Sequence, residues 1–285
     1  MFKKMRMDYM RKLNRVVLVA GVITVSLLNS CNNDKPQETT TPTETVAKTP
    51  AKPAKLPAEK ADSAAKFIYL TFDDGPLPGS EAVNALTQEH KFKASVFIVG
   101  KHTGNNRTSL RVLRDYQKNP YIDVCNHSFT HANNNYDSFY KMADSAANDI
   151  RRNQTESNID LKIVRLPGRQ LWMLPERDLN MKVSSAAKTA TLLKQDSFKI
   201  MGWDIEWASK GSTPKETPED MMAKIDNLFK TDMTFTRNHL VVLTHDPMFQ
   251  KPEGQAALVK LVEMIRSKGY VIENIRHYPD NDLDL

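Results

Sequence analysis

Cysteine is nearly absent from this chain: Cys31 and Cys125 are the only two among 285 residues. Cys31 follows an apolar N-terminal leader, so Cys125 has no partner and the mature body is expected to lack an internal disulfide. About 220 residues must then rest on their core alone, and a chain of that length buries enough surface for this. A comfortable membrane span is missing too. The apolar segment Val16 to Leu28 falls short of the roughly 20 residues a bilayer requires. The folded part also lacks a basic surplus, although the pI is about 9.1. Residues 1–66 hold 12 Lys+Arg against 6 Asp+Glu, whereas the rest of the chain holds 28 of each. The basic balance therefore belongs to the N-terminal segment, and no nucleic-acid surface is expected. There is no internal repeat. No His-x-Glu accompanies a Cys-x-x-Cys, which argues against a zinc nucleobase deaminase.

What is present divides into three parts. Met1 to Ser30 reads as a secretion signal, with Lys3, Lys4, Arg6, Arg11, Lys12 and Arg15 as its basic head. Left uncleaved, the same segment would be a membrane anchor. Leu28-Asn29-Ser30-Cys31 resembles a bacterial lipobox, which makes Cys31 the expected lipidation site. The chain is thus expected to be an exported lipoprotein, anchored to the membrane through Cys31 and facing the periplasm or the cell surface. Residues 31–66 are rich in Pro, Thr, Lys and Ala with hardly any large apolar side chain, so a flexible spacer is expected. Residues 67–285 form the folded domain.

Within it, short β-branched or aromatic runs alternate with helical patterns. Strands are expected at Phe67–Phe72, Ser95–Val99, Tyr121–Cys125, Ile163–Leu166, Lys199–Ile205, Leu240–Thr244 and Tyr270–Ile275. Helices are expected at Ser80–His90, Thr108–Lys118, Tyr136–Thr155, Glu176–Lys194, Pro218–Lys230 and Gly254–Lys268. This is an α/β pattern with a parallel sheet, for which closure into a barrel is the natural architecture.

The chemistry concentrates in Thr71-Phe72-Asp73-Asp74-Gly75-Pro76 and His127-Ser128-Phe129-Thr130-His131. Asp74, His127 and His131 together offer one oxygen and two neutral nitrogens, a set suited to a divalent transition metal that keeps a position open for water. Two histidines at i and i+4 can serve one ion from a single turn. Asp73, the spare carboxylate, is a candidate base for that water. Adjacent carboxylates would disfavour joint ionisation without a cation nearby. Asn126 could orient a ligand from behind. Asp73/Asp74, His127, Arg165, Asp204/Glu206 and His245 all fall at the C-terminal ends of expected strands, the face of parallel α/β folds where chemistry is done.

In order and spacing these segments resemble the motifs of the polysaccharide deacetylases, the NodB-homology group of carbohydrate esterases. The resemblance implies a distorted (β/α) barrel of about seven parallel strands. It implies Asp73 as base, Asp74 with His127 and His131 as metal ligands, and His245, in Leu243-Thr244-His245, as the acid that protonates the leaving group. Arg165, in Arg165-Leu166-Pro167-Gly168, would hold the base, and the N–H of Gly168 would meet the oxyanion. Gly168 stands where the family has an aromatic, so a groove wall is expected to be lost, with Arg169 or Trp172 candidates to fill the gap. Trp207 and Leu243 would line the pocket for the acetyl methyl, Trp203 would be core, and Asp204 or Glu206 would tether Arg165. The implied activity is metal-dependent removal of N-acetyl groups from an amino-sugar polysaccharide, peptidoglycan or chitin-like, with zinc the first choice of ion and cobalt, nickel or manganese alternatives. An O-acetyl (xylan-type) esterase, or a non-catalytic glycan-binding lipoprotein with a degenerate site, stays open at this point. An acetylated glycan is the expected partner, and no protein partner is implied.

Overall fold

The computed structural model describes residues 54–60, 64–104, 106–175 and 177–279. The secretion signal, Cys31 and the spacer as far as residue 53 lie outside the described residues. The elements run β1 (Phe67–Asp73), α1 (Ser80–Glu89), β2 (Ala94–Ile98), α2 (Arg107–Lys118), β3 (Ile122–Asn126), α3 (Tyr136–Lys141), α4 (Ala143–Glu156) and β4 (Ile163–Val164). There follow β5 (Trp172–Met173), β6 (Asp178–Leu179), α5 (Ala187–Gln195), β7 (Lys199–Ile200), β8 (Ile205–Glu206), β9 (Ser209–Lys210) and β10 (Thr213–Pro214). Last come α6 (Pro218–Lys230), β11 (His239–His245), α7 (Pro252–Ser267) and β12 (Val271–Ile272).

Seven strands run parallel in the order β7-β4-β3-β2-β1-β11-β8, wrapped with their helices into an open, distorted barrel. The antiparallel pair β5 and β6 extends one edge. β11 flanks β1 along its whole length, and β12 and β2 share the opposite edge of β1. Period-two alternation then sorts the side chains. Ile68, Leu70 and Phe72 of β1, with Leu240 and Val242 of β11, face the helix layer of α1, α2, α6 and α7. Tyr69, Phe97, Cys125 and Val241 fill the barrel interior. Asp73 and His245 are register partners at the ends of adjacent parallel strands, so both side chains share one face. A slip of one residue would turn one of them away.

Three segments depart from the sequence reading. Lys199–Ile205 is not one strand: β7 pairs with β4 at one edge of the sheet and β8 with β11 at the other, and the chain between them crosses the barrel mouth. The carbonyls of Met201 and Gly202 turn to Arg165 instead of joining a ladder. The span Glu176–Lys194 yields a helix only from Ala187, because Asp178–Leu179 turns back to pair with β5, which is anchored by Trp172 stacked 4.4 Å from Phe235. Tyr136–Thr155 breaks at Met142, where each half is anchored separately. Tyr140 of α3 donates to the Pro167 carbonyl, whereas Asp149 and Asn153 of α4 grip the chain around the end of β3.

Part of the expected spacer is also docked. The Lys55 ammonium donates to the carbonyls of Asn119 and Ile122, and the Glu59 N–H donates to Glu273 at 2.7 Å. Lys93 donates to the Pro57 carbonyl and pairs with Glu273 at 2.9 Å. These contacts lie at the N-terminal ends of β2 and β3 and beside β12, the pole away from Asp73 and His245. The Lys93 and Glu273 side chains are only 4% and 2% exposed, so Glu273 depends on Lys93, which also meets the exposed Glu59 at 3.2 Å. Removing one partner of such a pair costs about 3 kcal/mol or more, whereas an apolar exchange of both costs far less. Lys93→Met is therefore expected to lose about 3 kcal/mol in urea unfolding, and Lys93→Met/Glu273→Leu to regain most of it.

Candidate active site

The tips of β1, β3, β4 and β11 surround a cleft of about 280 Å³ lined by Asp73, Asp74, His127, His131, Arg165, Gly168, Leu243 and His245, with Tyr136, Leu166, Trp203 and Glu206. Asp74 leaves β1 with φ 72°, and Ser128 and His131 also adopt positive φ. Such left-handed turns are strained for residues with a side chain and concentrate at functional sites. Here they bring three bare atoms together. One ligand atom from each of Asp74, His127 and His131 lies within 4.8 Å of the others. Asp74 Oδ1 is 3.1 Å from His131 Nε2 and 3.6 Å from His127 Nε2, yet it is buried and accepts no well-formed hydrogen bond. His127 Nδ1 donates to the Arg165 carbonyl at 2.8 Å, which leaves Nε2 as the free lone pair facing Asp74. Burial, opposed by the Asp74 charge, lowers the His127 pKa to about 3, so its ring is neutral at pH 7. An orphaned carboxylate oxygen beside a neutral nitrogen of fixed tautomer fits a divalent ion.

Asp73 is buried beside this trio. Burial raises its pKa above the ordinary carboxylate value, and Arg165, 2.8 Å from Oδ1, pulls it back. Arg165 is itself fully buried and donates to Asp73, the Thr71 hydroxyl and the carbonyls of Met201 and Gly202, with the Phe97 ring 4.3 Å below its guanidinium. Asn126 accepts from the Ser128 N–H and from Asn153 Nδ2, so it shapes the turn between the two histidines and touches neither. His245 stands half-buried across the cleft from the histidines.

A polysaccharide deacetylase family model matches residues 60–192, the half of the barrel that carries Asp73 to Gly168. That stretch, just under half of the chain, is similar to the polysaccharide deacetylase domain. A peptidoglycan-N-acetylglucosamine deacetylase from Bacillus cereus is 27% identical over 222 residues, which span 76% of this chain and 72% of that protein. The solved polysaccharide deacetylase Bc1974 from Bacillus cereus superposes with a TM-score of 0.52 at 24% identity, covering 74% of this chain and 93% of its own. A CE4 esterase from Streptococcus mutans gives 0.57 at 20% identity, covering 74% and 86%. Both likenesses are of fold.

Several expected roles in the cleft belong to other residues. Trp207 is fully buried against Phe249, its Nε1–H bound to the Glu216 carbonyl, and takes no part in the cleft. Trp203, expected in the core, lines the cleft instead. Asp204 does not tether Arg165: its carboxylate accepts from the N–H groups of Phe235 and Val241 at 2.6 and 2.7 Å and fastens the crossing chain to β11. Glu206 is exposed on the rim of the cleft, and neither carboxylate is among the groups that hold Arg165. Trp172 is buried, and Arg169 pairs with Asp137. The space over Gly168 is taken by Tyr136, a residue the sequence reading passed over as a helix start. Its only signal is an aromatic five positions after a candidate ligand.

A second missed residue lies under the cleft. Asp246 follows His245, is fully buried, and accepts from the Ser80 hydroxyl and, at 3.1 Å, from Tyr116. A Cβ on Gly75 would overlap its carboxylate, so the Asp73-Asp74-Gly75 turn rests directly on this group. Burial raises its pKa from 3.8 to about 7, aided by the charges of Asp74 and Asp73. Between those values the folded protein holds a proton that the unfolded chain releases. Its contribution to stability is thus full below pH 3.8 and lost as pH rises toward 7. Asp246→Asn stays neutral throughout. In chelator, its stability relative to wild type is expected to rise between pH 4 and pH 7, by up to about 1.4 kcal/mol per unit. Urea unfolding at pH 4, 5.5 and 7 measures this, and a constant difference would refute the assignment.

Proposed function

We propose that this protein removes N-acetyl groups from an amino-sugar polysaccharide, peptidoglycan or chitin-like, in a metal-dependent hydrolysis. The convergence of Asp74 Oδ1 with the His127 and His131 nitrogens beside a buried Asp73 supports this reading best. Asp74, His127 and His131 would hold the ion, zinc being the first choice and cobalt, nickel or manganese alternatives. When bound there, such an ion polarises the acetyl carbonyl and acidifies a water.

The chain's own groups do the rest. Asp73, kept next to the trio by Arg165, takes the proton of the attacking water; its raised pKa makes it a better base than an ordinary carboxylate. The N–H of Gly168 donates to the oxyanion as charge develops on it. Leu243 and Trp203 enclose the acetyl group, and His245 passes a proton to the departing nitrogen, so that acetate and a free amine result. The peptidoglycan reading follows the Bacillus cereus relative and the expected export through a lipidated Cys31, which makes an envelope glycan the accessible substrate.

Incubation of the full chain with N-acetylglucosamine oligomers and zinc is expected to release equal amounts of acetate and free amine. Acetate from acetylated xylan without amine from these oligomers would favour the O-acetyl esterase instead, and neither product would sink both. Asp73→Asn is expected to lower acetate release by about a hundredfold or more. His127→Ala is expected to lose zinc by elemental analysis, and an unchanged metal content would remove it from the ligand set.

A further inference from the structure

Tyr136 has no part in the chemistry above, yet its position is tightly determined. It opens α3, one residue after four consecutive residues with positive φ, His131 to Asn134, which turn the helix start back over the cleft. Its ring meets His131 edge-on at 5.7 Å and 89°. A Cβ on Gly168 would lie 2.9 Å from its Cγ, Cδ1 and Cδ2, closer than real contacts allow. The ring therefore lies against the Gly168 backbone, where no side chain at 168 could coexist with it. Arg169 sits 5.9 Å from the ring centroid and pairs with Asp137 of the same helix, which holds α3 in place. The ring is half-buried and lines the cleft between the proposed ion ligands and the proposed oxyanion donor.

We propose that Tyr136 is the specificity-determining wall of the cleft: its ring packs on the apolar face of the acetylated sugar, and residue 168 is glycine so that the ring can lie there. A pyranose presents a face of C–H groups, and an aromatic ring anchored at its edge offers large apolar contact at little entropic cost. The wall thus comes from the helix after the second histidine, not from the strand-end loop that carries Arg165. The assignment rests on the cleft being a glycan site, so its test has to be independent of turnover.

Calorimetric titration of zinc-loaded, full-chain Asp73→Asn with the N-acetylglucosamine tetramer supplies one. Adding Tyr136→Ala is expected to weaken binding about tenfold, and Tyr136→Phe to stay within about threefold, because the ring and not the hydroxyl is the platform. Equal affinities with and without the ring, including no detectable binding by either, overturn the proposal. In the active background Tyr136→Ala is expected to raise KM about tenfold with kcat changed less than about threefold. In the Asp73→Asn background Gly168→Ala displaces the ring, so it should weaken tetramer binding as Tyr136→Ala does, and an unchanged tetramer affinity would overturn the coupling. Zinc affinity is expected to be unchanged by Tyr136→Ala; its loss would make the ring a prop for His131 and overturn the wall. If wild type releases acetate from no glycan, the deacetylation reading fails, while the tetramer titration still decides Tyr136.

Discussion

The Arg165 guanidinium is removed from water on every side, which is tolerable only because its donors meet the Asp73 carboxylate, the Thr71 hydroxyl and the carbonyls of Met201 and Gly202. That requirement organises the site. Its positive charge lets Asp73 sit buried beside Asp74, where two unscreened carboxylates would suppress each other's ionisation. Its backbone carbonyl fixes the His127 tautomer, and its N–H is bound to the Asn126 carbonyl, so Asp73 and the histidine loop are referenced to one residue. The same demand breaks the chain after β7: carbonyls turned to the guanidinium cannot also serve a ladder, and the segment crosses the barrel mouth.

Asp73 and His245 depend on a different constraint. They are register partners on β1 and β11, the most extensively paired strands of the sheet. A proposed base and acid on adjacent parallel strands keep their spacing without any contact between the side chains. The turn that follows Asp73 rests on Asp246, one residue beyond His245, and tolerates that closeness only because Gly75 has no side chain. Both strand ends are thus seated on one buried carboxyl held by Ser80 and Tyr116.

The parts legible in the sequence were those set by local pattern. The strands at β1, β2, β3 and β11 alternate between helix layer and barrel interior, and the paired-Asp and paired-His motifs sit at their tips, so these ends could be located from residues alone. Trp203 and Trp207 exchange the places expected of them, because nothing local in the sequence marks a break in the expected strand Lys199–Ile205. Only the crossing at 201–204, imposed by Arg165 from another strand, separates one into the cleft and the other into the helix-packed core. Tyr136 was hidden for a similar reason. Four successive left-handed residues direct it, and backbone of that kind follows from tertiary demand more than from propensity. Asp204 is a partner for Arg165 only by the family resemblance, whereas the open N–H groups of Phe235 and Val241 claim its carboxylate.

The docked segment 54–60 shows why composition misjudged the domain edge. Its one large apolar side chain is Leu56, and the segment is held instead by Lys55 among carbonyls at the end of α2 and the start of β3 and by the buried Lys93–Glu273 pair. Polar capture of this kind leaves no trace in hydropathy. It also separates two duties within the barrel. Charge at the N-terminal pole is consumed in closing the fold, with each buried ion matched. At the C-terminal pole Asp74 keeps an oxygen and His127 a nitrogen without a hydrogen bond, a cost to folding that a structural ion pair would have removed. The donor set left unmatched at this end of the sheet is what leaves the cleft free for the proposed ion and substrate.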